Sequence, residues 1–210
     1  MPRKEADEPW QSSLFETAAE PVELPPAESL ADVLAAVAER RCAICREGDP
    51  IVFGDGNPEA ELVWVGESPS PDDELTGRPF SGPSGQLLDK MIAAIGYRRE
   101  DCYLCNVIKC RVRPGHVPER EEIESCRPYL LRQIAALRPR LIVALGGLAA
   151  QTILNTKAPI SRLRGRLCDF HGIKVMPTFN PAYLLRVPEK KREVWEDLKT
   201  VRDYLKGTGS

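Results

Sequence analysis

The 210-residue chain contains no run of 18 apolar residues, which excludes a bilayer-spanning helix. Its start, Met1-Pro2-Arg3-Lys4, leads into acidic residues instead of an apolar core, so no secretory leader is expected. An even cysteine count is missing too. Seven cysteines without a leader argue against a disulfide framework and for a reducing compartment, where clustered cysteines more often hold metal. Strong net charge is also lacking, at −2, and no internal repeat stands out. What is present is a hydrophobic fraction of 42%, too high for a wholly disordered chain and enough for one ordinary core.

The near-zero charge is unevenly spread. Residues 1–27 carry two basic and six acidic side chains and end in Leu24-Pro25-Pro26-Ala27, the composition of a flexible acidic tail. Residues 157–192 carry nine basic against two acidic. That clustering is either the footprint of a polyanion-binding face or a solvated surface offset by the tail.

Between these segments, helical and strand patterns alternate. Ser29 caps an expected helix to about Arg40, and Leu62-Val63-Trp64-Val65 reads as a buried strand followed by a loop from Gly66 to Gly82. Ser84 is the expected cap of a helix to about Ile95. Tyr103 to Ile108 is a second strand, and a helix follows over about 119–137. Leu141 to Leu145 is the clearest strand, with Gly146-Gly147 turning into a helix. Residues 166–170 and 173–176 form a hairpin around His171-Gly172, and a last helix covers about 188–205. This order predicts a three-layer α/β/α sandwich around a central, mostly parallel four-stranded sheet, spanning 28–205 between an acidic tail (1–27) and a short C-terminal tail (206–210). Ligands in such folds sit at the C-terminal strand ends, which here carry Gly66-Glu67-Ser68, Asn106, Gly146-Gly147 and Asn180.

Cys42-x2-Cys45 can place two thiolates on one metal, and two completions are open: Cys102 with Cys105, or Cys110 with Cys126. Alternation along a strand sends Cys102 and Cys105 apart, so these two and Cys168 fit a core role better. Four thiolates suit zinc and an iron–sulfur cluster alike.

The ordered motifs resemble the iron–sulfur, family-4 class of uracil-DNA glycosylases. The first is Val65-Gly66-Glu67-Ser68-Pro69 with Thr76-Gly77-Arg78-Pro79-Phe80-Ser81-Gly82; the second is Asn106-Val107-Ile108-Lys109-Cys110-Arg111. The third is Pro177-Thr178-Phe179-Asn180-Pro181-Ala182-Tyr183-Leu184-Leu185-Arg186, and Cys126-Arg127-Pro128-Tyr129-Leu130 lies between. The resemblance implies a 4Fe-4S cluster on Cys42, Cys45, Cys110 and Cys126 and uracil-containing DNA (single- or double-stranded) as partner; with no sign of oligomerisation in the sequence, a monomer in the cytoplasm, at the nucleoid, is expected. It implies excision of a flipped uracil, with Phe80 stacking on the base, Asn106 reading its edge, and Gly66 and Ser68 lining the pocket. Asp73 aligns with the family's water-positioning acid, beside Glu74, and Glu67 is the motif's own carboxylate. Lys109, Arg111, Arg113, His116, Arg164 and Arg186 are the expected DNA contacts. Leu184 and Leu185 are either a wedge filling the flipped base's gap or the inward face of a short helix.

Three departures stand out. Asn180 replaces the usual histidine, Ser68 and Ser70 replace smaller residues, and Asp73 is shorter than the usual glutamate. They leave two further expectations beside uracil excision: a glycosylase for another deaminated base, hypoxanthine or xanthine, or a DNA-binding protein with weak cleavage. His116 lies in a loop that in a related branch carries a histidine able to trap the sugar covalently, but the loop here lacks that branch's basic insertion, favouring a phosphate contact or an exposed side chain over a nucleophile.

Overall fold

The computed structural model describes residues 23–39, 49–113 and 116–207. Most of the acidic tail, Cys42, Cys45 and the last three residues lie outside the described residues. Helix α1 (Leu30–Ala38) starts at Ser29, whose hydroxyl accepts the Asp32 amide while Asp32 accepts the Ser29 amide, a reciprocal cap.

Six strands form one sheet: β1 (Asp55–Gly56), β2 (Leu62–Gly66), β3 (Tyr103–Asn106), β4 (Leu141–Leu145), β5 (Cys168–Phe170) and β6 (Ile173–Thr178), in the order β1-β3-β2-β4-β6-β5. The inner four are parallel, as expected from their short apolar runs, and β1 and β5 add an antiparallel strand at each edge. The β5–β6 hairpin turns at His171 and Gly172 with φ of 53° and 82°, the two left-handed residues of a type I′ turn.

β2 explains why the inner strands do not alternate. Val63 and Val65 pack with Ile142, Ala144 and Val175 on one face, against Leu130 and Ile134 of α4 (Arg120–Leu137). Leu62 and Trp64 pack with Leu141 and Val143 on the other, against Leu88 and Ile92 of α3 (Pro83–Ala94) and Leu198 and Val201 of α8 (Lys191–Leu205). With both faces buried, every position of β2 is apolar or glycine. Three layers result.

Local starts differ from expectation in two places. The segment expected as loop contains α2 (Pro71–Thr76), made by Pro71 at its first turn and a reciprocal Ser70–Asp73 cap. Helix α3 begins at Pro83 with Gly82 as its cap, not at Ser84, because the proline ring presets the first helical φ. The remaining helices are α5 (Gly147–Leu154), α6 (Ile160–Leu163) and α7 (Pro181–Arg186). Among the described residues no helix is long and apolar enough to cross a membrane.

Candidate active site

The parallel register pairs Gly66, last residue of β2, with Asn106, last residue of β3. A Cβ added at Gly66 would lie 2.3 Å from Asn106 Oδ1 and 2.5 Å from Phe80 Cζ. Glycine is therefore required where an amide and an aromatic edge converge. Asn106 is buried, and its Nδ2 has no hydrogen-bond partner. An amide donor taken from water and left unsatisfied costs about 1–3 kcal/mol unless a ligand supplies the acceptor. Phe80 is also buried, with its backbone at φ 56°, a conformation costly for a bulky residue.

The next residue, Glu67, turns toward β4. Its Oε1 accepts the amide of Leu148 at 3.1 Å, in the first turn of α5. A Cβ at Gly146, whose φ is 101°, would lie 2.4 Å from that same oxygen and 3.3 Å from the Cβ of Asn180. The step Gly66–Glu67 thus joins two groups, Phe80 with Asn106 and Gly146 with Asn180. Asn180 caps α7: its Oδ1 accepts the Ala182 amide at 2.9 Å and its Nδ2 donates to the Leu145 carbonyl at 3.2 Å. Ser68 follows, half-buried.

Comparisons of sequence bear on this arrangement. The family model of the Uracil DNA glycosylase superfamily matches residues 53–199. The chain is 40% identical over 183 residues to a type-4 uracil-DNA glycosylase of Archaeoglobus fulgidus, covering 83% of this chain and 92% of that protein. It is 42% identical over 163 residues to the type-4 uracil-DNA glycosylase of Thermotoga maritima, covering 76% and 85%. The Saccharolobus solfataricus type-4 protein is 34% identical over 175 residues, covering 79% and 81%. The chain belongs to the type-4 uracil-DNA glycosylases.

Within this type-4 glycosylase, several residues expected at the site do something else. Asp73 is buried, and both its oxygens accept backbone amides, Ser70 at 3.0 Å and Ser81 at 2.7 Å. Its carboxylate fastens the loop that carries Phe80. Lys109, expected on DNA, is fully buried, with Nζ donating to the Asn106 carbonyl and to Gln133 Oε1. It braces the strand end from behind and cannot meet a phosphate. Arg164, also expected on DNA, makes a two-pronged pair with Asp197 and donates to the Glu193 carbonyl, behind the Phe179 ring. Asp197 in turn accepts the Thr178 hydroxyl at 2.6 Å, so this network anchors the end of β6. Leu184 is buried in the core, which excludes it as a wedge, whereas Leu185 is 45% exposed and suits one. Arg113 and Arg186 are exposed, and Arg111 is half-buried and paired with Glu74 at 2.9 Å. His116 lies 2.7 Å from Glu122.

The sequence reading placed Gly146 at a ligand-facing strand end but missed Arg99. Gly146 carried a signal, a glycine between strand and helix. Arg99 carried none, sitting in the charged run Arg98-Arg99-Glu100-Asp101.

For a metal centre the donor set is only partly within the described residues. Cys110 and Cys126 are both buried and share one core with Ile108 and Leu130. Among the described residues no three His, Cys, Asp or Glu side chains are grouped to hold a metal. Cys102 and Cys105 lie on opposite faces of the sheet, and burial pushes the Cys102 thiol up to about 11 and Cys105 upward too, so neither suits a shared metal. Beside Cys126, Nε and Nη2 of Arg127 are buried with no hydrogen-bond partner. Its Nη1 pairs with Glu124 at 3.4 Å, and an anionic group bound by thiolates would satisfy the two remaining buried N–H groups.

Burial raises the Glu67 carboxyl above its ordinary value, against the opposing pull of the Leu148 and Gly147 amides. A carboxyl raised on folding contributes stability that is full below its unfolded value and lost as pH rises through the folded one. Glu67→Gln removes that loss. Its Tm should exceed that of the parent by more at pH 8 than at pH 4, which thermal melts at the two values will check.

Proposed function

We propose that this chain removes uracil from DNA by hydrolysing its N-glycosidic bond, leaving an abasic site. The observation that supports this most is the buried Nδ2 of Asn106, without a hydrogen-bond partner, beside Gly66 and Phe80. An amide offers one donor and one acceptor side by side, which matches the O4 acceptor and N3–H donor of uracil. Cytosine presents the opposite pattern and is repelled. The base must leave the duplex to reach Asn106, with Phe80 stacking on it, Leu185 filling the gap, and Arg113 and Arg186 holding phosphates.

In the reaction, water attacks C1′ and the C1′–N1 bond breaks, its electron pair moving onto the uracil ring; C1′ keeps the hydroxyl and the proton released by the water ends on the departing base. Backbone amides after Gly66 stabilise the resulting charge at the 2-oxo oxygen, and Glu67 orients the water. Cys42, Cys45, Cys110 and Cys126 would hold a 4Fe-4S cluster, with Arg127 as counter-charge. When bound, the cluster supplies a rigid cross-link between the loop after β3 and α4. The protein works as a monomer in the cytoplasm, at the nucleoid.

The test is incubation of the full chain with oligonucleotides carrying uracil, hypoxanthine or xanthine, followed by alkali. Scission at uracil is expected; binding without scission, or scission only at a purine, overturns the reading.

Asn180 tunes the rate. Its amide already caps α7 and meets Leu145, leaving one N–H for the developing oxyanion. A histidine there frees a donor whose kind is worth about 10²–10³ in rate, at a cost of about 1 kcal/mol from the lost cap. Asn180→His should therefore raise single-turnover uracil excision at least about tenfold while lowering Tm. An unchanged or slower rate would refute this account of position 180.

A further inference from the structure

The Phe80 backbone is held by a device that none of the expected motifs contains. Arg99 stands just before β3, in a 3-10 turn over Arg99–Asp101. Its Nη2 donates to the Pro79 carbonyl at 2.6 Å and its Nη1 to the Phe80 carbonyl at 3.3 Å. Nη1 is also 2.9 Å from Asp89 Oδ1 on α3, which fixes the guanidinium from its other side. The Phe80 carbonyl is further boxed by Gly85, where an added Cβ would lie 1.6 Å from it. From the following residue, the Ser81 amide donates to Asp73.

These contacts converge on the one residue of the slot with a left-handed backbone, φ 56°. A bulky side chain keeps such a conformation only where its surroundings over-determine it. Two consecutive carbonyls gripped by one planar guanidinium do so, because the fork fixes their relative direction as well as their position. The ring then reaches from that anchor to Gly66 and Asn106. Arg99 and Asn106 flank the same short strand, β3. The strand thus sets the spacing between the backbone of the stacking ring and the amide that reads the base.

We infer that Arg99 is a positioning residue for base recognition: it holds Phe80 in its left-handed conformation so that the ring edge stands at Gly66 beside the Asn106 amide. This rests on the uracil reading above. It assigns Arg99 no contact with DNA or base, and distinguishes it from the neighbouring Arg98, whose guanidinium pairs with Asp101 at the surface.

The experiment compares the full chain with Arg99→Met and Arg99→Lys in four measurements: excision kinetics, inhibition by free uracil, affinity for abasic-site DNA, and amide exchange in the 77–82 loop. For Arg99→Met, kcat should fall about a hundredfold, the effect of a misplacement near 1 Å. Free uracil should inhibit about tenfold more weakly, one base-stacking interaction's worth. Loop exchange should accelerate, while affinity for abasic-site DNA, which has no base to stack, stays unchanged. Arg99→Lys should recover part of kcat, keeping the charge without the fork. Unchanged loop exchange and uracil inhibition would overturn the inference, as would an equal loss of abasic-site affinity, which would mean general loosening. If the parent neither excises nor binds uracil, the functional reading fails, and loop exchange still decides whether Arg99 holds Phe80.

Discussion

Asn106→Asp should lower uracil excision at least about a hundredfold while leaving affinity for abasic-site DNA nearly unchanged. The side chain is 1% exposed, and its Nδ2 is one of very few buried polar atoms without a partner among the described residues. The carboxylate replaces that donor with an oxygen facing the O4 of uracil, so an attraction becomes a repulsion in a site shielded from water. Losing such a hydrogen bond and leaving the partner unsatisfied costs about 1–3 kcal/mol before charge is counted. Asn106→Ala, which removes the donor without adding charge, should fall between the parent and Asn106→Asp. Single-turnover rates for the three proteins on one uracil oligonucleotide, with binding to an abasic analogue as the control, measure this. Equal rates for parent and Asn106→Asp would remove the amide from the recognition of the base.

The second large effect belongs to Gly66→Ala. The added carbon would lie 2.3 Å from Asn106 Oδ1 and 2.5 Å from Phe80 Cζ, closer than carbon can approach either. Neither neighbour can retreat cheaply. Phe80 is pinned through its carbonyl and the Ser81 amide, and Asn106 ends a buried strand whose carbonyl is braced by Lys109. Overpacking of this kind costs about 1–3 kcal/mol in stability. The displacement falls on both recognition elements at once, so excision should drop about a hundredfold or more, in line with a shift near 1 Å. Steady-state kinetics beside a thermal melt separate the two consequences. A loss of Tm with full activity would place the slot elsewhere.

The frame of the fold was legible because β2 and β4 are continuous apolar runs, and a strand buried on two faces leaves no other pattern. The helix Pro71–Thr76 was hidden for the opposite reason. It buries one side chain, Asp73, and leaves Leu75 85% exposed, so no apolar stripe marks it. The two-residue β1 had no periodicity to read. At the site, the strand ends and the motif resemblance pointed to Gly66, Phe80 and Asn106, which the fold brings together. Charged residues were harder. Arg164 and Lys109 read as phosphate contacts because a sequence records charge but not depth, and their partners Asp197 and Gln133 lie 33 and 24 residues away. The same gap between charge and depth concealed Arg99.

The short antiparallel strands at the two margins of the sheet bear on how copies of this chain meet. β1 has two residues and β5 three, so neither offers a ladder long enough to recruit a strand from another molecule. Crowding of many copies along damaged genomic DNA therefore carries little hazard of strand-by-strand polymerisation.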